Sequence, residues 1–445
     1  MKTAHAWNVA PLPPSGATPA FAAAAADPEL AHNLRVLLNR DVGLEVRPAA
    51  EVDELRRSIY GLGASALADT GDAPPPEASA PAADSPAARF IQSVIVQACA
   101  ERATDIHFEP FEDAVVLRFR VDGLLREIST PTSLAAHYPS VVSRLKILAR
   151  LNIAQKRLPQ DGHFQVDGGD ALDLRLSTVP TVHGESVDIR ILPRGRGALA
   201  LESLGLDPET RADLFRLISR PGGILLVTGP TGHGKTTTLY ACLSRLNTPE
   251  RKIVTIEDPV EVRLRGVNQI QVHPRIGLTF EAGLRSVLRQ DPDVLMVGEI
   301  RDADTAGIAI RSALTGHLVF STLHTIDAVG AIARLLEMGI EPYLLAASVN
   351  AVLAQRLVRV VCAACSGGGC LACRETGFFG RTGLFELLVL DDELRSLIVE
   401  RANAREIRRR AREKGLRSLF DDGRQKAADG VTTLAEVSRV VEDAA

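Results

Sequence analysis

The chain has 445 residues, of which 46% are hydrophobic and 24% charged, so it can bury a sizeable core and global disorder is excluded. Its 51 Lys and Arg against 55 Asp and Glu give a net charge of −4, which offers no overall attraction to nucleic acid. No run of eighteen apolar residues occurs, so the sequence predicts no membrane-spanning helix. Pro11, Pro13, Pro14 and Pro19 interrupt the one stretch that could be a signal peptide, and we expect a cytoplasmic protein.

The first part of the chain falls into three segments. Residues 1–26 are rich in Ala and Pro and lack periodicity, which predicts disorder. Residues 27–60 combine two helical patterns with one extended stretch, which predicts a small folded N-terminal piece. Residues 61–88 are rich in Ala, Pro, Ser and Asp, a composition typical of a linker, so we expect the N-terminal piece to be tethered rather than packed.

Residues 89–195 have the pattern of an α+β domain. A helix comes first, followed by two strands, and the second strand alternates Leu117, Phe119 and Val121 with charged residues. Another helix and three extended segments complete this domain. Residues 196–221 then form a connector to the next domain.

Residues 222–361 alternate short apolar strands with helices. Because the strands are continuous apolar runs, they are typical of a parallel sheet buried on both faces, and the region predicts a doubly wound α/β domain. After it, residues 362–383 contain a cysteine cluster, and residues 384–445 have the pattern of a helical C-terminal segment. The predicted parallel strands lie at residues 224–227, 253–257, 294–299 and 318–323.

A phosphate-binding motif follows the first of these strands. The sequence GPTGHGKT at residues 229–236 fits the pattern G-x-x-x-x-G-K-[ST] between a strand and a helix, the context that a P-loop requires. The glycines let backbone N–H groups surround a phosphate. We assign Lys235 to the β- and γ-phosphates and Thr236 to Mg²⁺. The predicted nucleotide-binding residues are Gly229, Pro230, Thr231, Gly232, His233, Gly234, Lys235, Thr236 and Thr237.

Two glutamates and a histidine are the further catalytic candidates. Glu257 and Glu299 each close a predicted strand, at the carboxyl edge where open α/β sheets bind ligands. Either glutamate could polarise the attacking water, or one could help to hold the magnesium, and the sequence leaves these alternatives open. His324 follows another strand at the same edge, and we assign to it a hydrogen bond that senses the γ-phosphate.

Four cysteines have metal-ligand spacing. Cys362, Cys365, Cys370 and Cys373 form the pattern C-x₂-C-x₄-C-x₂-C. Two C-x₂-C pairs can supply a tetrahedral set of thiolates, and a cytoplasmic chain disfavours disulfides. The sequence therefore predicts a zinc module. The alternative is that the four cysteines are reduced thiols that bind no metal.

These motifs together resemble the type II secretion ATPases, a family of secretion-superfamily hexameric ATPases. The resemblance covers roughly residues 89–440 and is carried by stretches such as DIHFEPFEDAVVLRFRVDGLLRE, QKRLPQDGHF, GPTGHGKTTTLY, TIEDPVE and LTGHLVFSTLHT. It implies a RecA-like P-loop ATPase domain preceded by a PAS-like α+β domain. It also implies that Arg175 and Arg190 of that preceding domain reach nucleotide phosphates, whose oxygens guanidinium groups match well. His233 departs from the small polar residue usual in this loop.

The same resemblance implies a Mg²⁺-dependent ATPase motor of protein secretion with a zinc module. It implies a homo-hexamer that assembles a pseudopilus through an inner-membrane platform protein. It further implies contact with the cytoplasmic domain of a bitopic inner-membrane secretion protein, and so a peripheral location on the inner membrane. Pilus assembly is the alternative within the family. A nucleic-acid-translocating motor is the alternative from another class, and an aromatic content of 4% argues against it because few rings could stack on bases.

Overall fold

The computed structural model describes residues 9–12, 19–38, 40–63, 66–67, 85–166, 172–193 and 200–442. The chain divides into two compact units, Met1–Gly195 and Arg196–Ala445. Within the described ranges, no helix combines the length and the apolar content that crossing a bilayer requires.

The first unit begins with a small sheet of three short strands. Its order is β1-β2-β3, with β1 and β2 antiparallel and β2 and β3 parallel. Its elements are β1 (Val9–Pro11), β2 (Ala20–Ala23), α1 (Pro28–Leu38), β3 (Gly43–Val46) and α2 (Ala49–Tyr60). The prediction of disorder over residues 1–26 is wrong for β1 and β2. Strand β2 has few large apolar residues to give a periodic signal, but its small side chains pack closely between two strands.

The larger part of the first unit is a six-stranded antiparallel sheet in the order β6-β5-β4-β9-β8-β7. Its elements are α3 (Pro86–Ala100), β4 (Ala103–Pro110), β5 (Val115–Val121), β6 (Leu124–Ile128), α4 (Leu134–Leu148), β7 (Gln160–Val166), β8 (Leu172–Thr181) and β9 (Gly184–Pro193). Alternation along the strands buries one face, which packs against the two helices around Phe90, Phe108 and Phe119. This is the predicted α+β domain, and its opposite face carries the polar side chains.

The segment that follows α2 joins this core. Leu62 and Leu67 are 6% and 1% exposed and belong to the same apolar cluster as Phe90. The N–H of Leu62 also donates to the carbonyl of Ser129 at 2.7 Å. The predicted linker is therefore wrong in its first residues, because isolated leucines among small residues give no periodic signal. Most of its Ala- and Pro-rich part, residues 68–84, lies outside the described residues.

The second unit is built on a seven-stranded sheet in the order β12-β11-β13-β14-β10-β15-β16. Neighbouring strands are parallel, except that β16 is antiparallel to β15. The strands are β10 (Gly223–Thr228), β11 (Ile253–Glu257), β12 (Asn268–Gln271), β13 (Val294–Val297), β14 (Leu318–Leu323), β15 (Val349–Val361) and β16 (Phe378–Val389). Separate apolar clusters cover the two faces, which is the doubly wound arrangement that the apolar runs predict.

Helices surround this second sheet. They are α5 (Pro208–Ile218), α6 (Lys235–Leu246), α7 (Phe280–Val287), α8 (Ala303–Leu314), α9 (Ala328–Glu337), α10 (Pro342–Ser348), α11 (Asp392–Val399), α12 (Ala404–Glu413), α13 (Leu419–Ala428) and α14 (Leu434–Val440). The prediction of a helical segment from residue 384 is wrong for residues 384–389, which belong to β16. Pairing with β15 supplies the backbone hydrogen bonds that a helix would have made internally. The predicted helices begin only at α11.

Candidate functional site

The P-loop connects β10 to α6, as its motif predicts. Gly229, Gly232 and Gly234 have φ values of 150°, 79° and 79°, a region that favours glycine. A Cβ on Gly229 would also lie 2.4 Å from the carbonyl oxygen of Gln355, so no larger residue fits there. The loop is therefore a tight backbone turn at the N-terminus of α6, where exposed N–H groups and the helix dipole favour an anion.

Lys235, the first residue of α6, folds back over this loop. Its side-chain nitrogen Nζ donates to the carbonyls of Gly229 at 2.6 Å and Pro230 at 3.0 Å, and it lies 3.4 Å from Nδ1 of His324. Burial lowers the pKa of Lys235 to about 8, although the negative charge of Glu299 acts in the opposite direction. The group is still mostly protonated at neutral pH and can place its positive charge at the loop.

His324 links this lysine to Glu299. Its Nδ1 faces the Lys235 ammonium, and its Nε2 lies 3.1 Å from Oε2 of Glu299. Glu299 also accepts a hydrogen bond from Arg301. Burial opposes ionisation of Glu299, but the donors on Arg301 and His324 outweigh it and lower the pKa of the carboxyl. The structure thus brings three of the predicted residues together as a hydrogen-bonded chain.

Glu257 lies apart from that chain. It is 2% exposed and accepts hydrogen bonds from Tyr240, Thr255 and Gln269. Burial and the adjacent Glu257 carboxylate raise the pKa of Tyr240, so the phenol stays protonated and keeps donating. Sequence reasoning missed Tyr240, because the P-loop motif ends before it and a tyrosine in a buried helix carries no signal of its own.

The remaining loop residues differ in their surroundings. Pro230 and Thr231 are exposed, and Thr236 and Thr237 are half-buried in the first turn of α6. His233 is half-buried, and its Nδ1 accepts a hydrogen bond from the N–H of Leu357 on β15 at 3.0 Å. The structure therefore ties His233 to the sheet, whereas Thr236 lies half-buried in the helix turn that follows the loop.

Arg175 and Arg190 are direct cross-strand neighbours on β8 and β9 of the first unit. Nε of Arg190 donates to Oδ1 of Asp105 at 2.9 Å, and Asp105 is 6% exposed. The strand registers extend this pair into a row on the polar face of the sheet. The row runs His163, Arg175, Arg190, Asp105 and Arg120. A row with four basic side chains and one acid can bind an anion through several donors at once.

The four cysteines form a compact cluster in which every pair of Sγ atoms lies within 4.8 Å. The Sγ distances are 3.9 Å for Cys362–Cys370 and 3.7 Å for both Cys365–Cys373 and Cys370–Cys373. A tetrahedron with Zn–S bonds of about 2.3 Å needs S–S separations of about 3.8 Å. A disulfide needs about 2.05 Å, and all four thiols are free. The donor set therefore fits a tetrahedral metal ion such as zinc.

Comparisons with known proteins identify the family. Residues 81–439 match the family described as type II/IV secretion system protein. The chain belongs to this family. The type II secretion system protein HxcR of Pseudomonas aeruginosa is 52% identical over 368 residues, which cover 81% of this chain and 78% of that protein. The type II secretion system ATPase E of Vibrio cholerae is 47% identical over 390 residues, which cover 81% and 76%.

Solved structures with a similar fold agree with this family assignment. The pilus retraction motor PilT, solved with bound ADP, matches 80% of this secretion-family chain and 97% of its own, with a TM-score of 0.59 and 26% identity. The Legionella pneumophila ATPase DotB matches 79% of this chain and 95% of its own, with a TM-score of 0.61. At 24% identity, the likeness to DotB shows the shared fold alone.

Proposed function

We propose that this chain is the ATP-hydrolysing motor of a type II secretion system. The observation that carries the proposal is the hydrogen-bonded chain from Lys235 through His324 to Glu299 beside the P-loop. A charged donor and a carboxylate beside a phosphate-binding turn are groups that phosphoryl transfer to water uses, and His324 joins the two here. Relatives 46–52% identical carry type II secretion names, which favours secretion over pilus assembly.

The P-loop would bind the phosphates of ATP over the N-terminus of α6. Lys235 would then donate to phosphate oxygens in place of the carbonyls of Gly229 and Pro230. The hydroxyl of Thr236 would hold Mg²⁺, which when bound neutralises charge on the β- and γ-phosphates. His324 would report the γ-phosphate, because its Nδ1 lies within reach of the same lysine that contacts it.

Glu299 is the better candidate for activating water. Its side chain is 18% exposed and lies in the chain that ends at Lys235, whereas Glu257 is 2% exposed and satisfied by three donors. The lowered pKa of Glu299 keeps it ionised, so it can accept a hydrogen bond from a water molecule. We assign to Glu257 the positioning of Tyr240 and hence of α6.

Purified protein tests the proposal directly. We expect phosphate release from ATP when Mg²⁺ is present and none above background when EDTA removes it, because Mg²⁺ neutralises the charge that hydrolysis develops. Release should also saturate with ATP concentration, as expected for a binding site. A chain that binds ATP in equilibrium dialysis but never releases phosphate with Mg²⁺ would show a nucleotide-binding scaffold instead.

We further propose a homo-hexamer in which Arg175 and Arg190 of the PAS-like domain clamp the phosphates. Their guanidinium groups would stabilise charge on the departing γ-phosphate, as arginine does in other phosphoryl transfers. Arg175→Ala and Arg190→Ala should each lower turnover sharply while leaving most nucleotide affinity intact. Turnover per chain should also rise with protein concentration as rings form.

Arg220→Ala is a matched control, because Arg220 donates to Asn350 within the second unit and lies outside the charged row. Full turnover in both row variants, together with rates that do not change on dilution, would contradict the clamp and the ring.

The proposed motor would act at the inner membrane. In this proposal its cytoplasmic ring contacts the platform protein and the cytoplasmic domain of a bitopic secretion protein, and Zn²⁺ occupies the cysteine cluster. The support is the family and the names of the relatives, together with Sγ distances that fit the ion. No specific nucleic acid takes part in this proposal, which agrees with the net charge of −4.

A further inference from the structure

Strand β15 contacts the P-loop through hydrogen bonds to His233. Its neighbour β10 ends at Thr228, which pairs with Ala354, and β15 continues beyond that point without β10 beside it. Leu357 faces Gly383 on the other neighbour, β16, yet its N–H donates to Nδ1 of His233. The imidazole ring of His233 therefore accepts from a backbone N–H of β15 that lies beyond the end of β10.

A second contact fixes the backbone of the same residue. Nε2 of Gln355 donates to the carbonyl of His233 at 3.0 Å, and Oε1 of Gln355 accepts from the hydroxyl of Thr238 at 2.6 Å. Gln355 and Thr238 are 2% and 0% exposed, so water does not compete for these bonds. One buried amide thus joins the loop and the first turn of α6 to a single strand.

The ring of His233 is suited to accept this hydrogen bond. Burial lowers its pKa to about 4, and the positive charges of Arg356 and Lys235 act in the same direction. The ring is therefore neutral at physiological pH, and Nδ1 keeps the lone pair that the Leu357 N–H requires. Short side chains such as serine place their oxygen nearer the backbone and would leave this amide unpaired.

We infer that His233 is a positioning residue for nucleotide binding, which fixes the P-loop against β15 in the conformation that surrounds the phosphates. The inference rests on the proposed function of this site and adds to it a residue that touches the sheet instead of the nucleotide. Fixing a loop in its bound conformation strengthens binding by removing the cost of ordering it. Because this contact is already present without nucleotide and does not involve the reacting atoms, its loss should weaken binding more than it slows the chemical step.

Two substitutions test this role. His233→Ala removes the acceptor, whereas His233→Asn retains one, because Oδ1 of asparagine is separated from the backbone by as many bonds as Nδ1 of histidine. With His233→Ala we expect the Kd and KM for ATP to rise about five- to tenfold. The kcat at saturating ATP should stay within about twofold of the parent value. His233→Asn should bind close to the parent value, and His273→Ala, an exposed histidine of the same unit, is the control.

Amide hydrogen exchange gives a readout that does not depend on activity. The peptide that contains Leu357 should exchange faster in His233→Ala and recover its protection in His233→Asn. Parent-like affinity and parent-like exchange in His233→Ala would overturn the inference while leaving the proposed ATPase intact. The inference would also be overturned if His233→Asn bound ATP as weakly as His233→Ala. A parent protein that binds no ATP would instead refute the proposed function and, with it, the role of His233.

Discussion

Replacing Lys235 with alanine is expected to slow ATP hydrolysis by about 10²–10³-fold. The substitution removes the ammonium group that would face the γ-phosphate, and it removes the donor to Nδ1 of His324. Phosphate release at saturating ATP and Mg²⁺ is the measurement. Lys252→Ala is the matched control, since Lys252 belongs to the same unit and bonds to the carbonyl of Gln290 away from the loop.

The substitution Glu299→Gln removes the negative charge of this side chain and keeps its size and shape. Glu299→Gln should lower turnover by a similar factor while ATP still binds, because the amide cannot act as the carboxylate does toward water. Glu257→Gln should cost much less, since its carboxyl is already satisfied by Tyr240, Thr255 and Gln269. A larger loss in Glu257→Gln than in Glu299→Gln would reverse the two assignments. If Lys235→Ala hydrolysed ATP at the parent rate, the assignment of the catalytic site to this loop would be contradicted.

Loss of the cysteine cluster should produce the second large effect, on metal content and stability together. Replacing both Cys362 and Cys373 with serine removes two of four thiolates, and structural zinc contributes its binding energy directly to folding. We expect bound zinc to fall from about one per chain to near none, and the Tm to fall by about 10 °C or more. Elemental analysis and thermal unfolding of the same samples measure both quantities.

Cys99→Ala is the control for this experiment, because Cys99 lies in α3 of the first unit and has no place in the cluster. It should keep the zinc. Parent protein that carries no metal, with all four cluster thiols open to titration, would show that the geometry is that of reduced cysteines alone.

The P-loop and the cysteine cluster could be predicted because each is local in sequence. Glycine spacing between a strand and a helix fixes a backbone turn, and two C-x₂-C pairs four residues apart bring their thiols together with little help from the fold. The pairing of Arg175 with Arg190 could also be predicted from the sequence. Both lie equally far from the turn between β8 and β9, so a hairpin at that turn must place them opposite each other.

The anchoring of His233 and the place of Glu257 could not be predicted. The partner of His233 is 124 residues further along the chain, and only the strand order of the second sheet brings the two together. The sequence places Glu257 and Glu299 alike at the end of a predicted strand, and only the structure shows that Glu257 is enclosed by packing against Tyr240. The short strands β1 and β2 likewise depend on partners elsewhere in their sheet and have no pattern of their own.

Asp105 would compete with any anion that binds to the charged row of the first unit. Its carboxylate is nearly buried, accepts from Arg190 at 2.9 Å and lies 3.8 Å from Nε of Arg120, so it is a resident competitor for both guanidinium groups. Being covalently fixed, it has a high effective concentration that dilute monovalent salts cannot match. If the row binds phosphates as proposed, an anion with several charges that engages several arginines at once would displace Asp105 more readily than a monovalent one. The proposed clamp would thereby favour polyvalent anions through charge, independently of their shape.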